Sequence, residues 1–262
     1  KSIVDFIDLN REDVDRAGGK SANFSVLSSL GDIPIPENAF AIPFTFYERH
    51  IRDNGIDLII NAILDDPSFY SNQEVRQEKL DKIRRLIEDF PLDEDFIEMV
   101  ESKINYFETF DSFRFRSSTN AEDLEEFSGA GLYSSYSAKK NDPNKTIERA
   151  IKKVWASLWN FRAFEEREYY KIDHHTVSMG ILVHRSFPEE EANGVIVTRN
   201  LYNTNKGIII NVQYGEESIV YPEPGIFCDE IMVYFYSINA DTDITVEYLS
   251  RSNILPESQT TV

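Results

Sequence analysis

Phe113-Arg114-Phe115-Arg116-Ser117-Ser118-Thr119-Asn120-Ala121-Glu122-Asp123 passes from apolar/basic alternation to a run of small polar residues, and Ser128-Gly129-Ala130-Gly131 follows it. Successive side chains of a strand point to opposite faces, so Phe113 and Phe115 fall on one side and Arg114 and Arg116 on the other. A guanidinium can fork two phosphate oxygens. Ser117, Ser118 and Thr119 add hydroxyl donors beside it. Two readings stay open on this pattern: a strand that delivers arginines to an anion site, or an edge strand with solvated arginines running into an ordinary polar loop.

Upstream, Gly18-Gly19-Lys20-Ser21 precedes Phe24, Leu27 and Leu30, which are spaced for one face of a helix, so a helix is expected to begin near Lys20. Glycines permit close backbone approach, helix N-terminal N–H groups favour anions, and Lys20 adds a mobile positive charge. A glycine turn with a solvated lysine is the plain alternative. The G-x-x-x-x-G-K-[ST] spacing of a Walker A loop is absent. The prolines at 34, 36 and 43 mark an extended connection before a helix over residues 45–54. Two helical stripes follow, Ile83, Leu86, Ile87 and Phe90, then Phe96, Ile97, Val100, Ile104 and Phe107, separated at Pro91.

Ile147, Ala150, Ile151, Val154, Trp155, Leu158 and Trp159 form another stripe, which assigns both tryptophans to the core. Beyond Thr176 the pattern changes to short β-rich runs at 181–187, 194–198, 207–212, 218–221 and 230–236, divided by turn residues. The expected class is α+β, with a helix-rich lobe over 1–175 and a mainly antiparallel lobe over 176–262.

Composition narrows the function. The 262 residues are 41% hydrophobic and 13% aromatic, enough for a substantial core. Acidic residues outnumber basic ones 46 to 27, and the formal net charge of -19 argues against nucleic acid and anionic membranes as partners. ATP is repelled by the same field, so a nucleotide needs a local cluster of cations. Cys228 is the single cysteine, and neither a secretory leader nor a long apolar run is present, which points to the cytoplasm.

These motifs carry a resemblance. Gly18-Gly19-Lys20-Ser21-Ala22-Asn23 resembles the G-G-K-x-A-x opening of the nucleotide-binding domain of phosphoenolpyruvate synthases and pyruvate phosphate dikinases. Residues 116–138 run without a gap against the R-S-S-A-T-A-E-D … S-F-A-G pattern, and Val154-Trp155-Ala156-Ser157-Leu158-Trp159-Asn160 with Arg162-Ala163 is similar to V-x-A-S-L-x-N-x-R-A. Fainter likenesses follow: residues 181–187 to the strand entering the adenine hinge, 194–200 to G-V-x-F-T-R-N, and Gly215-Glu216 to the end of G-L-G-E.

The resemblance implies an ATP-grasp fold, incomplete at its C-terminal end, that binds ATP and passes phosphate to a histidine on a separate domain. Downstream phosphohistidine and acceptor-binding domains are its implied partners. It gives Lys20 and Arg116 the phosphate contacts during transfer. Gly19, Ser117, Ser118, Gly129, Gly131 and Glu216 are carried over as further nucleotide-binding positions, and Arg185 and Phe187 as part of the hinge that meets adenine. His174 resembles a structural D-H-x histidine, and none of the four histidines matches the phosphocarrier. No metal ligand is assigned within the 262 residues: the family's metal-binding D-I-E-W and L-Q-x-R stretches do not occur in them, so Mg²⁺ is expected only in a longer parent chain. Ser134 stands where synthases carry a glutamate, and Asn200 and Tyr202 replace an acidic pair of some members. The resulting expectation is ATP binding without turnover by these residues alone. The alternative is a non-catalytic ATP-grasp module kept for nucleotide sensing or protein contact.

Overall fold

The computed structural model describes all residues except 1, 37, 108, 122–128, 130, 189, 202–206, 216–218, 220–223, 239–240 and 254–262. The chain separates into two units, residues 1–186 and 187–262. Both sheets are antiparallel and the first unit is rich in helix, so the class is α+β.

The first unit holds a five-stranded sheet in the order β1 (Val4–Asp5), β2 (Phe40–Ile42), β5 (Met179–Arg185), β3 (Ser112–Thr119), β4 (Tyr136–Lys139). Its helices are α1 (Val14–Ala17), α2 (Gly19–Ser29), α3 (Phe44–Asp53), α4 (Ile56–Leu64), α5 (Pro67–Ser71), α6 (Gln73–Asp89), α7 (Glu94–Tyr106), α8 (Ile147–Ala156) and α9 (Phe161–Tyr169). The local signals are explicit. Asn72 accepts from the backbone N–H groups of Glu74 and Val75, Asp93 from Phe96, and Thr146 from Arg149, so α6, α7 and α8 each start at a side-chain cap. Pro91 falls in the gap between α6 and α7, where it cannot interrupt either helix.

Strand alternation sorts the sheet into two faces. Phe40, Ile42, Phe113, Phe115, Ile181 and Val183 point to one side, where residues of α3–α9 complete the main core. Trp155 and Trp159 lie within it, 0% and 2% exposed, as their helical spacing predicts. Burying side chains of this size contributes on the order of 2–3 kcal/mol each. Trp159 Nε1 donates to Tyr47 Oη at 3.0 Å, which satisfies the indole inside the core. On the opposite face Ala41 and Leu182 join Val4, Phe6, Leu9 and Ala17 in a smaller cluster, with Phe24 of α2 packed against it.

The boundary expected at 175/176 falls at 186/187. The reason is β5: its β-rich sequence follows the change of pattern at Thr176, yet it sits at the centre of the first sheet, between β2 and β3. The second unit is a four-stranded meander, β6 (Ala192–Val197), β7 (Gly207–Tyr214), β8 (Asp229–Ile238) and β9 (Asp241–Ser250). The expected strand over 218–221 lies largely outside the described residues, and β9 was not anticipated from the sequence.

Candidate functional site

The helix expected to begin near Lys20 begins at Gly19. It is joined to α1 by Gly18 alone, whose φ of 85° and ψ of 165° suit glycine and few other residues. This turn rests on the end of β3. The Ser118 hydroxyl donates to the Ala17 carbonyl at 2.7 Å and accepts from the Ser21 backbone N–H at 3.0 Å. A Cβ at Gly18 would lie 2.2 Å from the Ser118 carbonyl oxygen, so only a residue without a side chain fits there.

A second glycine seats the turn from below. Gly180 of β5 pairs with Ser118, and a Cβ on it would come within 2.8 Å of the Ala17 carbonyl oxygen and 3.0 Å of that of Ile42. The α1–α2 turn therefore rests on a floor of Gly180 and Ser118. Sequence reading passed over Gly180; a glycine inside an otherwise apolar strand is the signal, because it marks close approach of another backbone.

Arg114, Arg116 and Ser118 alternate along β3 and share the face on which α2 lies. Their cross-strand partners on β5 are His184, Leu182 and Gly180. Lys20, half-buried in the first turn of α2, and Arg116, exposed on β3, consequently occupy the same face of the first sheet. Arg114 Nη1 donates to Ser137 Oγ of β4 at 3.1 Å. His184 is buried beside these cations, and its Nδ1 lies 2.6 Å from the Arg185 carbonyl oxygen, so this nitrogen carries the proton. Burial is the largest influence and holds its pKa down to about 4; the hydrogen bond to the Arg185 carbonyl opposes it, and the smaller effects of the Arg116, Arg114 and Arg185 charges add to the lowering. The histidine is neutral at pH 7 and leaves the positive charge to the arginines.

The other sequence-assigned positions are distributed differently. Ser117 is buried on the side of Phe113 and Phe115, facing the main core and not Arg116. Ser118 is fully buried, with its hydroxyl engaged by the α1–α2 turn. Gly19 is buried at the start of α2. Gly129 and Gly131 have φ of 61° and 75°, and the Leu132 N–H donates to the Gly129 carbonyl in a turn that contains both glycines. That turn is tied to the segment before α9, where Asn160 Nδ2 donates to the Leu132 carbonyl at 3.1 Å. Arg185 ends β5 with its guanidinium 5.1 Å from the Phe110 ring centroid. Phe187 opens the second unit and is 41% exposed. Glu216 and Tyr202 lie outside the described residues, as do Glu122 and Asp123.

His174 sits in a buried polar cluster on the main-core side. Arg167 Nε donates to its Nδ1 at 3.3 Å, its Nε2 faces Glu168 Oε2 at 3.1 Å, and Arg167 Nη1 donates to Tyr133 Oη at 3.2 Å. With one ring nitrogen accepting and the other donating, the ring is neutral, and burial together with Arg167 lowers its pKa to about 4. The cluster stacks on Phe164 and is structural in character.

Residues 14–223 match the model of the pyruvate phosphate dikinase AMP/ATP-binding domain. The chain belongs to this family. Among similar curated proteins, the rifampicin phosphotransferase of Bacillus cereus is 29% identical over 217 residues, covering 81% of this chain and 24% of that protein. The probable phosphoenolpyruvate synthases of Methanocaldococcus jannaschii and Methanothermobacter thermautotrophicus are 30% and 27% identical over 221 and 220 residues. Each match covers 82% of this chain, but only 18% and 31% of the respective synthase. This member of the dikinase AMP/ATP-binding family thus spans less than a third of the length of these relatives.

Membership implies ATP as ligand, and the chemistry of the Lys20–Arg116 face suits it: lysine and arginine side chains on a shared surface are donors for phosphate oxygens. Among the described residues, no group of three or more His, Cys, Asp or Glu side chains could hold a metal ion. No described helix is long and apolar enough to cross a membrane.

Proposed function

We propose that this chain binds ATP on the α2–β3 face of its first unit, with Lys20 and Arg116 as the phosphate contacts. The observation that carries the reading is the seat of the α1–α2 turn on β3, which puts the lysine of one family motif and the arginine of another on a single face of the sheet. Two fixed cations offset locally a chain whose net charge is -19. Arg114 shares that face with Arg116, and its cross-strand partner His184 is neutral at pH 7. The hinge position Arg185, at the end of β5, is proposed to meet the adenine through its backbone groups, a role that tolerates varied side chains.

Within a longer protein, this binding is proposed to supply phosphate from ATP to a histidine on another domain. The relatives named above include a rifampicin phosphotransferase and phosphoenolpyruvate synthases, so the acceptor is a property of the whole protein. Lys20 and Arg116 would hold the polyphosphate and stabilise charge as the bond to the transferred group loosens. No step is assigned to a metal.

The test is thermal unfolding of the chain with increasing ATP or AMP in the presence of EDTA. A ligand that binds only the folded state raises the midpoint by mass action. ATP is expected to raise it more than AMP, because the proposed contacts are to phosphates; equal shifts, or none, would defeat the reading.

A further inference from the structure

We propose that Ser118 is a positioning residue, whose hydroxyl locks the Gly18 turn and so sets the backbone direction from which Lys20 leaves α2. The proposal rests on the nucleotide-binding reading for its consequence and on geometry for its mechanism. One hydroxyl makes both bonds, donating to the last carbonyl of α1, Ala17, and accepting from the Ser21 N–H in the first turn of α2. It thereby spans the one-residue break between the helices. Lys20 is the residue next to the clamped Ser21 amide.

Three features make this hydroxyl the determining contact. Gly18 approaches the Ser118 backbone so closely that a Cβ there would lie 2.2 Å from its carbonyl oxygen and 2.5 Å from its Oγ. Gly180, opposite Ser118, removes the side chain that would otherwise lift Ala17 off the sheet. Ser118 is itself 0% exposed, so water cannot replace its hydroxyl when it is removed. Arg116 lies two residues earlier on the same face of the same strand, so a single side chain fixes the turn bearing the lysine to the strand bearing the arginine. The Ser21 N–H is consumed by this bond and is not a donor for a ligand. Ser118 therefore serves the site by holding the cations in register, and a nucleotide contact of its own is not part of this role.

The experiment is a double-mutant cycle on the full 262-residue chain with ATP as probe, read by calorimetry, together with amide hydrogen exchange of residues 19–22 in the ligand-free protein. Ser118→Ala is expected to weaken ATP binding about tenfold, the equivalent of one buried hydrogen bond. In a Lys20→Ala background the same change is expected to have less than a twofold effect, because the lysine it positions is gone. Exchange at Ser21 and Ala22 should accelerate in Ser118→Ala while the β5 amides keep their wild-type rates. Equal loss of affinity in both backgrounds, or no loss in the wild-type background, overturns the positioning role. So does unchanged exchange at Ser21. Should Ser118→Ala fail to fold, Ser118→Cys, similar in size and a weaker hydrogen-bonding partner, takes its place in the cycle. If the wild-type chain itself binds no ATP, the nucleotide reading fails, and the exchange measurement alone decides whether Ser118 holds the turn.

Discussion

The backbone of Gly18 lies so close to that of Ser118 that a methyl group on the glycine would stand 2.2 Å from the serine carbonyl oxygen. One hundred residues separate them in sequence, and they belong to two of the motifs that carry the family resemblance. Gly18→Ala must therefore both strain a φ of 85° and push the α1–α2 turn off β3. Strain in such a conformation costs on the order of 1–3 kcal/mol, and forced overpacking about as much again. Urea unfolding is expected to show a loss of about 2–5 kcal/mol; a loss below 0.5 kcal/mol, about the size of a neutral surface change, would show that the turn does not rest on the strand as described.

The indole of Trp159 depends on Tyr47 for its hydrogen bond, 3.0 Å away in the main core. Tyr47→Phe keeps the ring and leaves the buried N–H without an acceptor, at a cost of about 1–3 kcal/mol. The check is the shift in urea midpoint at constant m-value. No shift would mean that the indole finds another partner.

Three buried histidines make stability depend on pH: burial lowers the pKa of His50 as well as those of His174 and His184. His174 is packed by Arg167 and Glu168 of α9 with Asp173 in its own turn, and His184 by Arg114 and Arg116 of β3 with Arg185 on its own strand; both pKa values are lowered to about 4. In the unfolded chain a histidine titrates near 6.5, so between about pH 6.5 and 4 the unfolded state binds more protons. Their contribution is complete above pH 6.5 and is lost as the pH falls through the window. Unfolding free energy measured at pH 7 and pH 5 is expected to be lower at pH 5, and His184→Gln is expected to reduce that difference. An imidazole NMR titration that finds the rings of His174 and His184 charged at pH 5.5 would contradict this.

Much of this architecture was legible because it follows local patterns. Ile147 to Trp159 wrote a helix by apolar spacing, Pro91 marked the break between α6 and α7, and alternation placed Arg114 and Arg116 on one side of β3. What escaped is long-range. Nothing near Met179 in the sequence shows that β5 crosses back between β2 and β3, so the change of pattern at Thr176 precedes the boundary at 186/187. Ser117 and Ser118 looked equivalent as donors. Only the tertiary contacts separate them, turning one to the main core and engaging the other with the α1–α2 turn. The glycine-lysine motif admits both an anion site and a plain glycine turn, and the conformational demand on Gly18 comes from the packing of its backbone on Ser118.

The central claim is that Lys20 and Arg116 act together on the phosphates of ATP, and calorimetric titration of ATP into the wild-type chain, Lys20→Ala and Arg116→Ala tests it most directly. Each charged contact is expected to contribute about 1.5–3 kcal/mol, so each variant should bind roughly ten- to a hundredfold more weakly than wild type. Saturable binding by the wild type with a loss of that size in both variants is the predicted result. Wild-type affinity in either variant, or no binding by the wild type, would contradict the account.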